Sequence, residues 1–524
     1  MTTPPPEPGP PPPPAPVAVI DIGASSLKLT VAEPRPDGSF HILEDLSRGV
    51  LLGRDTFTSG RLGGPSIEAA LKALEGFRRV LDGYGVTRLR TVATSAVREA
   101  QNSDAFVDRV RLRTGLEVEV IDGSEENRLT YMAVRHALRG HQALAADGTL
   151  LIEVGGGSAD ISFLRGGEPI HSGTYALGSI RMRQSLAAWH GAHEQRVRLL
   201  RRHVRNVVDD LLREMALPEV RHFVALGGDA RFAAERLAGA EFEAGPVELL
   251  REDFLRLCDE VSAEDPEQLV EHYRLAQTEA ETLVPALLVY REVLLETAAP
   301  SVTVPEASLR LGLLLDLVRA EEGHGIEDFS RQVLASAQAL GEKYRFDAPH
   351  AANVAQLAVR LFDELRAEHG LGSRHRLLLE VAALLHDIGI YVNLRGHHKH
   401  SQYLLSVSEI FGLSREDMAL VGNVARYHRR GLPQKSHLPY MALDREERLE
   451  VNKLAALLRL ANALDADHLQ KVRDLRVVRE EGLLALEVDG ASDLTMERIA
   501  ALSRADFLQE VFGLRVSFRE VRRA

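Results

Sequence analysis

The residues best suited to chemistry lie at two glycine-rich turns, each preceded by an acid. In AVIDIGASSLKLTVAE, Asp21 is followed by Gly23, Ser25 and Ser26; in LLIEVGGGSADISF, Glu153 is followed by Gly155, Gly156, Gly157 and Ser158. Laid over each other, Asp21 falls on Glu153, Gly23 on Gly155 and Ser26 on Ser158. Backbone amides of such a turn can close on an anion because no side chain blocks the approach. A carboxylate beside each turn can hold a hydrated Mg²⁺ against the same phosphate. Two facing copies make a phosphate clamp and point to phosphoryl chemistry.

Three further segments could complete such a site. VEVIDGSEENR ends a strand at Asp122 and starts a helix with Glu125 and Glu126. Asp122 with Glu125 fits a helix cap; alternatively, Glu125 is a general base that activates water. Arg128, one turn on, could clamp a phosphate oxygen. In RTVATSAVREAQN, Ser95, Arg98 and Asn102 follow a strand, where an arginine at a helix start can bind an anion or simply face water. VALGGDA, with Gly227 and Gly228, is a third strand–glycine turn and the least specific of the three; YALGSIRM, with Gly178 and Arg181, is weaker still.

The second half of the chain carries a different chemistry. His350, His386-Asp387, His398, His400, His428 and Asp465 occur in that order on helical segments. Imidazole with carboxylate suits divalent transition metals, and a mixed set can hold one or two. The stretch is also basic, with Arg395, His397, Lys399, Arg426, Arg429, Arg430 and Lys435. That is either a track for a polyanion or scattered solvated charge.

These groups need elements to position them. Residues 1–16 are a proline tract that cannot pack, either a bland tail or a ligand for a proline-binding partner. From Val17 to about 142, and again from 143 to 320, strands alternate with helices in two matched halves, an α/β duplication. EEGHGIEDF is a polar break. Residues 321–470 read as helices, as in HAANVAQLAVRLFDEL with Val354, Leu357 and Leu361 on one face. Residues 471–524 regain strand periodicity and read as a small α/β domain.

Composition limits the partners. In 524 residues, 63 Lys and Arg oppose 76 Asp and Glu, a net charge of −13. Such a chain has no general attraction to nucleic acid or to an anionic membrane. The single cysteine, Cys258, forbids an internal disulfide and suits a reducing cytosol. No apolar run reaches the roughly 18 residues of a membrane span, and the start lacks the form of a secretory signal. A cytoplasmic location is expected.

Assembled, these residues resemble the exopolyphosphatase/guanosine pentaphosphate phosphatase (Ppx/GppA) family. The resemblance runs from Val17 to the C-terminus. The family's D-x-G-S-N-S loop is matched by Asp21 to Ser26, its G-x-E-E-A-R motif by Gly123 to Arg128, and its D-x-G-G-G-S loop by Glu153 to Ser158. VATSAVREAQN resembles its T-x-A-x-R-x-A-x-N segment. The resemblance implies duplicated actin-like ATPase (ribonuclease H-like) domains, an all-α HD-type domain and a homodimer, with Glu125 as catalytic base. It also matches His350, His386-Asp387 and Asp465 to the metal ligands of HD phosphohydrolases. Ser25, Glu153 and Asp229 replace the usual asparagine, aspartate and threonine.

The expected activity is hydrolysis of terminal phosphate from inorganic polyphosphate. Asp21 and Glu153 are to bind Mg²⁺, and the glycine turns with Arg98 and Arg128 the phosphate. A second divalent metal is expected at His350, His386, Asp387, His400, His428 and Asp465. The alternatives are guanosine pentaphosphate as substrate, or a non-catalytic sensor of a phosphorylated ligand. A sugar or acetate kinase fits less well, since Glu125 in this motif suits water activation.

Overall fold

A computed structural model describes residues 15–186, 191–239, 245–321, 329–429, 431–480, 482–489 and 493–521. Most of the proline tract and of the EEGHGIEDF break lie outside the described residues. The chain divides into two compact units, Met1–Ile161 with Thr174–Gly323, and Ser162–Gly173 with His324–Ala524.

The α/β half is built on two sheets. The first comprises β1 (Val17–Ile22), β2 (Ser26–Pro34), β3 (Phe40–Gly49), β4 (Arg88–Ala93) and β5 (Glu119–Val120), in the order β3-β2-β1-β4-β5. The second comprises β6 (Asp147–Val154), β7 (Ala159–Arg165), β8 (Glu168–Tyr175), β9 (His222–Leu226), β10 (Val247–Leu250) and β11 (Ser301–Val304). Its order is β10-β11-β9-β6-β7-β8. With β6 on β1, β7 on β2, β8 on β3, β9 on β4 and β11 on β5, the two sheets share one topology. This is the duplicated actin-like arrangement.

Local physics explains why the turns sit where they do. In β1 and β2, Ile20, Ile22, Leu27 and Leu29 are buried, and they pack in one core with Phe77 and Phe106 from the covering helices. Val19, Ile20 and Ile22 make a near-continuous apolar run, as a strand covered on both faces requires. β1 is antiparallel to β2 and parallel to β4, so the β1–β2 turn and the end of β4 emerge at one sheet edge. β6 is likewise parallel to β9. In open α/β sheets, ligands gather at these carboxyl ends.

The second unit is helical. Val354, Leu357 and Leu361 of the helix Ala348–Glu364 are all buried, as their spacing predicts. β12 (Leu475–Glu480), β13 (Leu483–Asp489) and β14 (Arg515–Val521) form a three-stranded sheet whose Leu475, Leu484 and Leu486 join the same core as these helices. So small a sheet gains most of its stability from such packing. Among the described residues, no helix is long and apolar enough to cross a membrane.

Candidate active site

The two turns are copies down to single hydrogen bonds. Gly23 N–H donates to the Ser26 carbonyl at 3.1 Å, and Gly155 N–H donates to the Ser158 carbonyl at 2.9 Å. They also face each other: a Cβ on Gly156 would meet the Ala24 Cβ at 3.0 Å. Gly157 has no room for a side chain, because a Cβ there would lie 2.1 Å from Ser95 Oγ and 2.6 Å from the Phe57 ring. The third turn also reaches this site: a Cβ on Gly227, at φ 94°, would be 3.8 Å from Glu153 Cγ, and Gly228 opens the following helix. Ser25 is exposed at the lip, while Ser158 is buried.

Carboxylates crowd the floor. The charges of Asp21, Glu126, Glu153 and Asp160 act on one another, and burial raises the pKa of all four. For Glu126, burial is the largest cause; Arg98 opposes it, Glu153 and Asp21 add to it, and the carboxyl is pushed up to about 7. Arg98 donates to Glu126 Oε2 at 3.2 Å and to the Ile121 carbonyl at 2.7 Å. Thr130 donates to Glu153 at 3.2 Å, and Thr174 to Asp160 at 2.7 Å. Lys28 lies directly across the β1–β2 ladder from Asp21, and its charge opposes the rise at Asp21 and Glu153. Asp21 Oδ1 is sealed from water without a hydrogen-bond partner among the described residues. An orphaned carboxylate oxygen amid excess negative charge fits a hard divalent cation such as Mg²⁺.

Glu125, expected to be the base, does not belong to this group. Its carboxylate accepts from Arg128 at 2.7 and 2.8 Å and from Arg90 at 3.0 Å. Asp316 completes the cluster, accepting from Arg128 at 2.9 Å and from Arg90 at 2.7 Å. Burial alone would raise the Glu125 pKa, but Arg128 and Arg90 hold it below the ordinary value. A carboxylate so stabilised is a poor proton acceptor. The same pairing commits Arg128 to two carboxylates, so it is not open to phosphate as expected.

Helical phase separates the two acids. Successive residues on the helix Gly123–Ala137 are rotated by about 100°. Glu125 shares its side with Arg128, three residues on; Glu126 shares its side with Thr130, four residues on, which reaches Glu153. Asp122 does cap the helix, accepting from Glu125 N–H at 2.9 Å. Sequence reasoning also missed Asp160, although the offset carrying Asp21 onto Glu153 also carries Lys28 onto Asp160. Arg98 ends a four-residue helix rather than opening a long one. Asp229, which replaces the family's usual threonine, is pushed up to about 7 by burial and is therefore only partly ionised near neutrality.

A separate cluster lies in the helical unit. His350, His386, Asp387 and His428 converge there as expected, and two groups of side chains could hold a metal: His386, Asp387 and His428, and His350, Asp387 and His468. Burial pushes His386 down to about 3. Two expectations change. His397, not His400, approaches Asp387, at 3.1 Å, because the helix His397–Ser406 turns His397 and Ser401 inward. Asp465 stands behind His350, accepting from its Nδ1 at 2.8 Å and from Gln470 N–H at 2.7 Å.

The model of the Ppx/GppA phosphatase family matches residues 30–321, and that of Ppx/GppA phosphatase, domain III, matches residues 333–511. A guanosine-5'-triphosphate,3'-diphosphate pyrophosphatase of Vibrio vulnificus is 25% identical over 429 residues, 79% of this chain and 80% of the relative. That of Photobacterium profundum is 24% identical over 455 residues, 84% of each. A crystal structure of an exopolyphosphatase from Cytophaga hutchinsonii aligns with TM-score 0.53 and 23% identity, covering 58% of this chain and 98% of its own. That likeness is one of fold.

Proposed function

Because this chain belongs to the Ppx/GppA phosphatase family, a family of phosphoanhydride hydrolases, we propose that it removes terminal phosphate from inorganic polyphosphate with Glu126 as general base. The observation carrying this reading is the Glu126 carboxyl, pushed up to about 7 between Arg98 and the acids of the two turns. A base poised near the working pH transfers protons best.

The amides of the turns Gly23–Ser26 and Gly155–Ser158, with the Ser25, Ser26 and Ser158 hydroxyls, would hold the terminal phosphate. The Gly227–Gly228 turn would border the same pocket. Asp21 and Glu153 would hold Mg²⁺, which when bound neutralises phosphate charge. Glu126 takes a proton from water as the water oxygen bonds to the terminal phosphorus. The bridging P–O bond breaks, and its electron pair leaves with the shortened chain. No protein nucleophile is needed. Arg98 holds Glu126 in place and balances its negative charge before it takes the proton.

A second reading is supported by the names of the relatives above: hydrolysis of the 5′-terminal phosphate of guanosine pentaphosphate in the same site. Orthophosphate release from each substrate at equal concentration, with Mg²⁺, tests the pair. The first reading expects a higher kcat/KM on long polyphosphate. A preference for the nucleotide would move the assignment to the second, and tight binding of either without turnover would leave only a sensor.

A further inference from the structure

We propose that the second α/β half carries a regulatory site for a small amphipathic organic anion, in a cavity of about 310 Å³ that shares no residue with the phosphate turns. The volume is that of a small-molecule pocket. Its apolar wall is made by Leu186, Val197, Leu200, Ala280, Val284 and Pro285. Such a wall suits a hydrocarbon or aromatic body rather than a bare ion.

The charged groups of the lining decide the head group. Arg183 lies 2.7 Å from the Glu281 carboxylate, so that pair is closed. Asp265 accepts from the Glu267 and Gln268 N–H groups, at 3.0 Å each, and caps the helix Pro266–Tyr273. His193 Nε2 is held by the Ser262 carbonyl at 3.0 Å, and Glu267 is exposed to water. Arg196 is left over: its Nε is sealed from water and has no hydrogen-bond partner among the described residues. A buried guanidinium donor without an acceptor is costly. A carboxylate or sulfonate matches it, with a charge-assisted hydrogen bond.

Two elements tie the cavity to the phosphate turns. The short helix Ser179–Ser185 brings Arg183 and, just past its end, Leu186 to the lining. Its other end clasps the second turn. Ser179 and Ile180 N–H donate to the Gly155 and Gly156 carbonyls, each at 2.9 Å, and Arg181 Nε donates to the Gly157 carbonyl at 2.6 Å. The helix Gln277–Leu295 brings Ala280, Val284 and Pro285, and Pro285 interrupts its hydrogen-bond ladder because it has no N–H. Five residues on, Tyr290 Oη accepts from Val154 N–H at 3.0 Å and donates to the Leu226 carbonyl, at the ends of β6 and β9. An occupant that shifts these two helices therefore moves the roots of the Gly155–Ser158 and Gly227–Gly228 turns.

The probe is 8-anilinonaphthalene-1-sulfonate, an aromatic body with one sulfonate, titrated into the full-length protein. Trp189, the chain's single tryptophan, lies outside the described residues and stands in the sequence between Leu186 and His193. Energy transfer from it to the probe therefore separates binding here from binding elsewhere. Wild type should show saturable transfer. Arg196→Met, which keeps an apolar stem, should weaken binding about tenfold or more, the scale of a hydrogen bond to a charged group. Gln277→Glu adds negative charge at an exposed lining residue and should also weaken it, with the core untouched. Saturating probe should change hydrogen exchange at the Gly155–Ser158 turn in wild type and leave it unchanged in Arg196→Met. Neither readout uses polyphosphate, so a wrong substrate assignment leaves both intact. Absence of saturable transfer, unchanged affinity in either variant with the cooperative melt retained, or unaltered exchange at the turn in wild type overturns the proposal.

Discussion

Glu125 and Glu126 are joined by one peptide bond, yet their carboxyls are driven in opposite directions. Arg128 and Arg90 outweigh burial at Glu125 and lower its pKa; at Glu126, burial and the neighbouring acids outweigh Arg98. The sign for catalysis follows. A base must be unprotonated to accept, so kcat/KM should rise about tenfold per pH unit below a limb near 7 and flatten above it. The limb should vanish in Glu126→Gln. A limb near the ordinary glutamate value, or one that persists in that variant, would contradict the role. The sequence holds both acids in one motif and says nothing of which faces the phosphate turns. Only the partners of each, Arg128 for one and Thr130 by way of its helix face for the other, separate them.

At the scale of elements, the phosphate turns were legible because their constraints are local. A run of apolar residues, an acid, small residues and a second run can hardly be anything but strand, turn and strand. Gly157 shows what that smallness serves, since it lets the second turn lie against Ser95 at the end of β4. Gly157→Ala should therefore lower stability by about 1–3 kcal/mol, the usual cost of overpacking, and cut turnover by displacing the turn. Thermal melts with kcat measurements check this; an unchanged melt would show that the contact gives way easily. The helical unit was less legible because its site is made by side-chain rotation. Histidines in order announce a metal, but the choice of His397 over His400 depends on the phase of a ten-residue helix. His468 depends on a strained turn that has no sequence signature.

At the scale of the whole molecule, a net charge of −13 is set against a substrate that is itself a polyanion. Local arrangement resolves this, with Lys28, Arg98 and Arg231 placed among the acids of the cleft. The duplication was visible in the sequence because both copies keep the same spacing of acid, glycine and serine. The shared core of the helices and the last three strands was not, because nothing local says which surface a small amphipathic sheet will cover. That Glu126 and not Glu125 takes the proton is tested by orthophosphate release from long-chain polyphosphate by wild type, Glu125→Gln and Glu126→Gln at saturating Mg²⁺. Glu126→Gln should lose at least about 10²-fold in kcat with its melt intact. Glu125→Gln should stay within a few-fold of wild type while losing about 1–3 kcal/mol of stability from the broken ion pairs. Near-normal turnover in Glu126→Gln, with the loss falling on Glu125→Gln, would contradict the account.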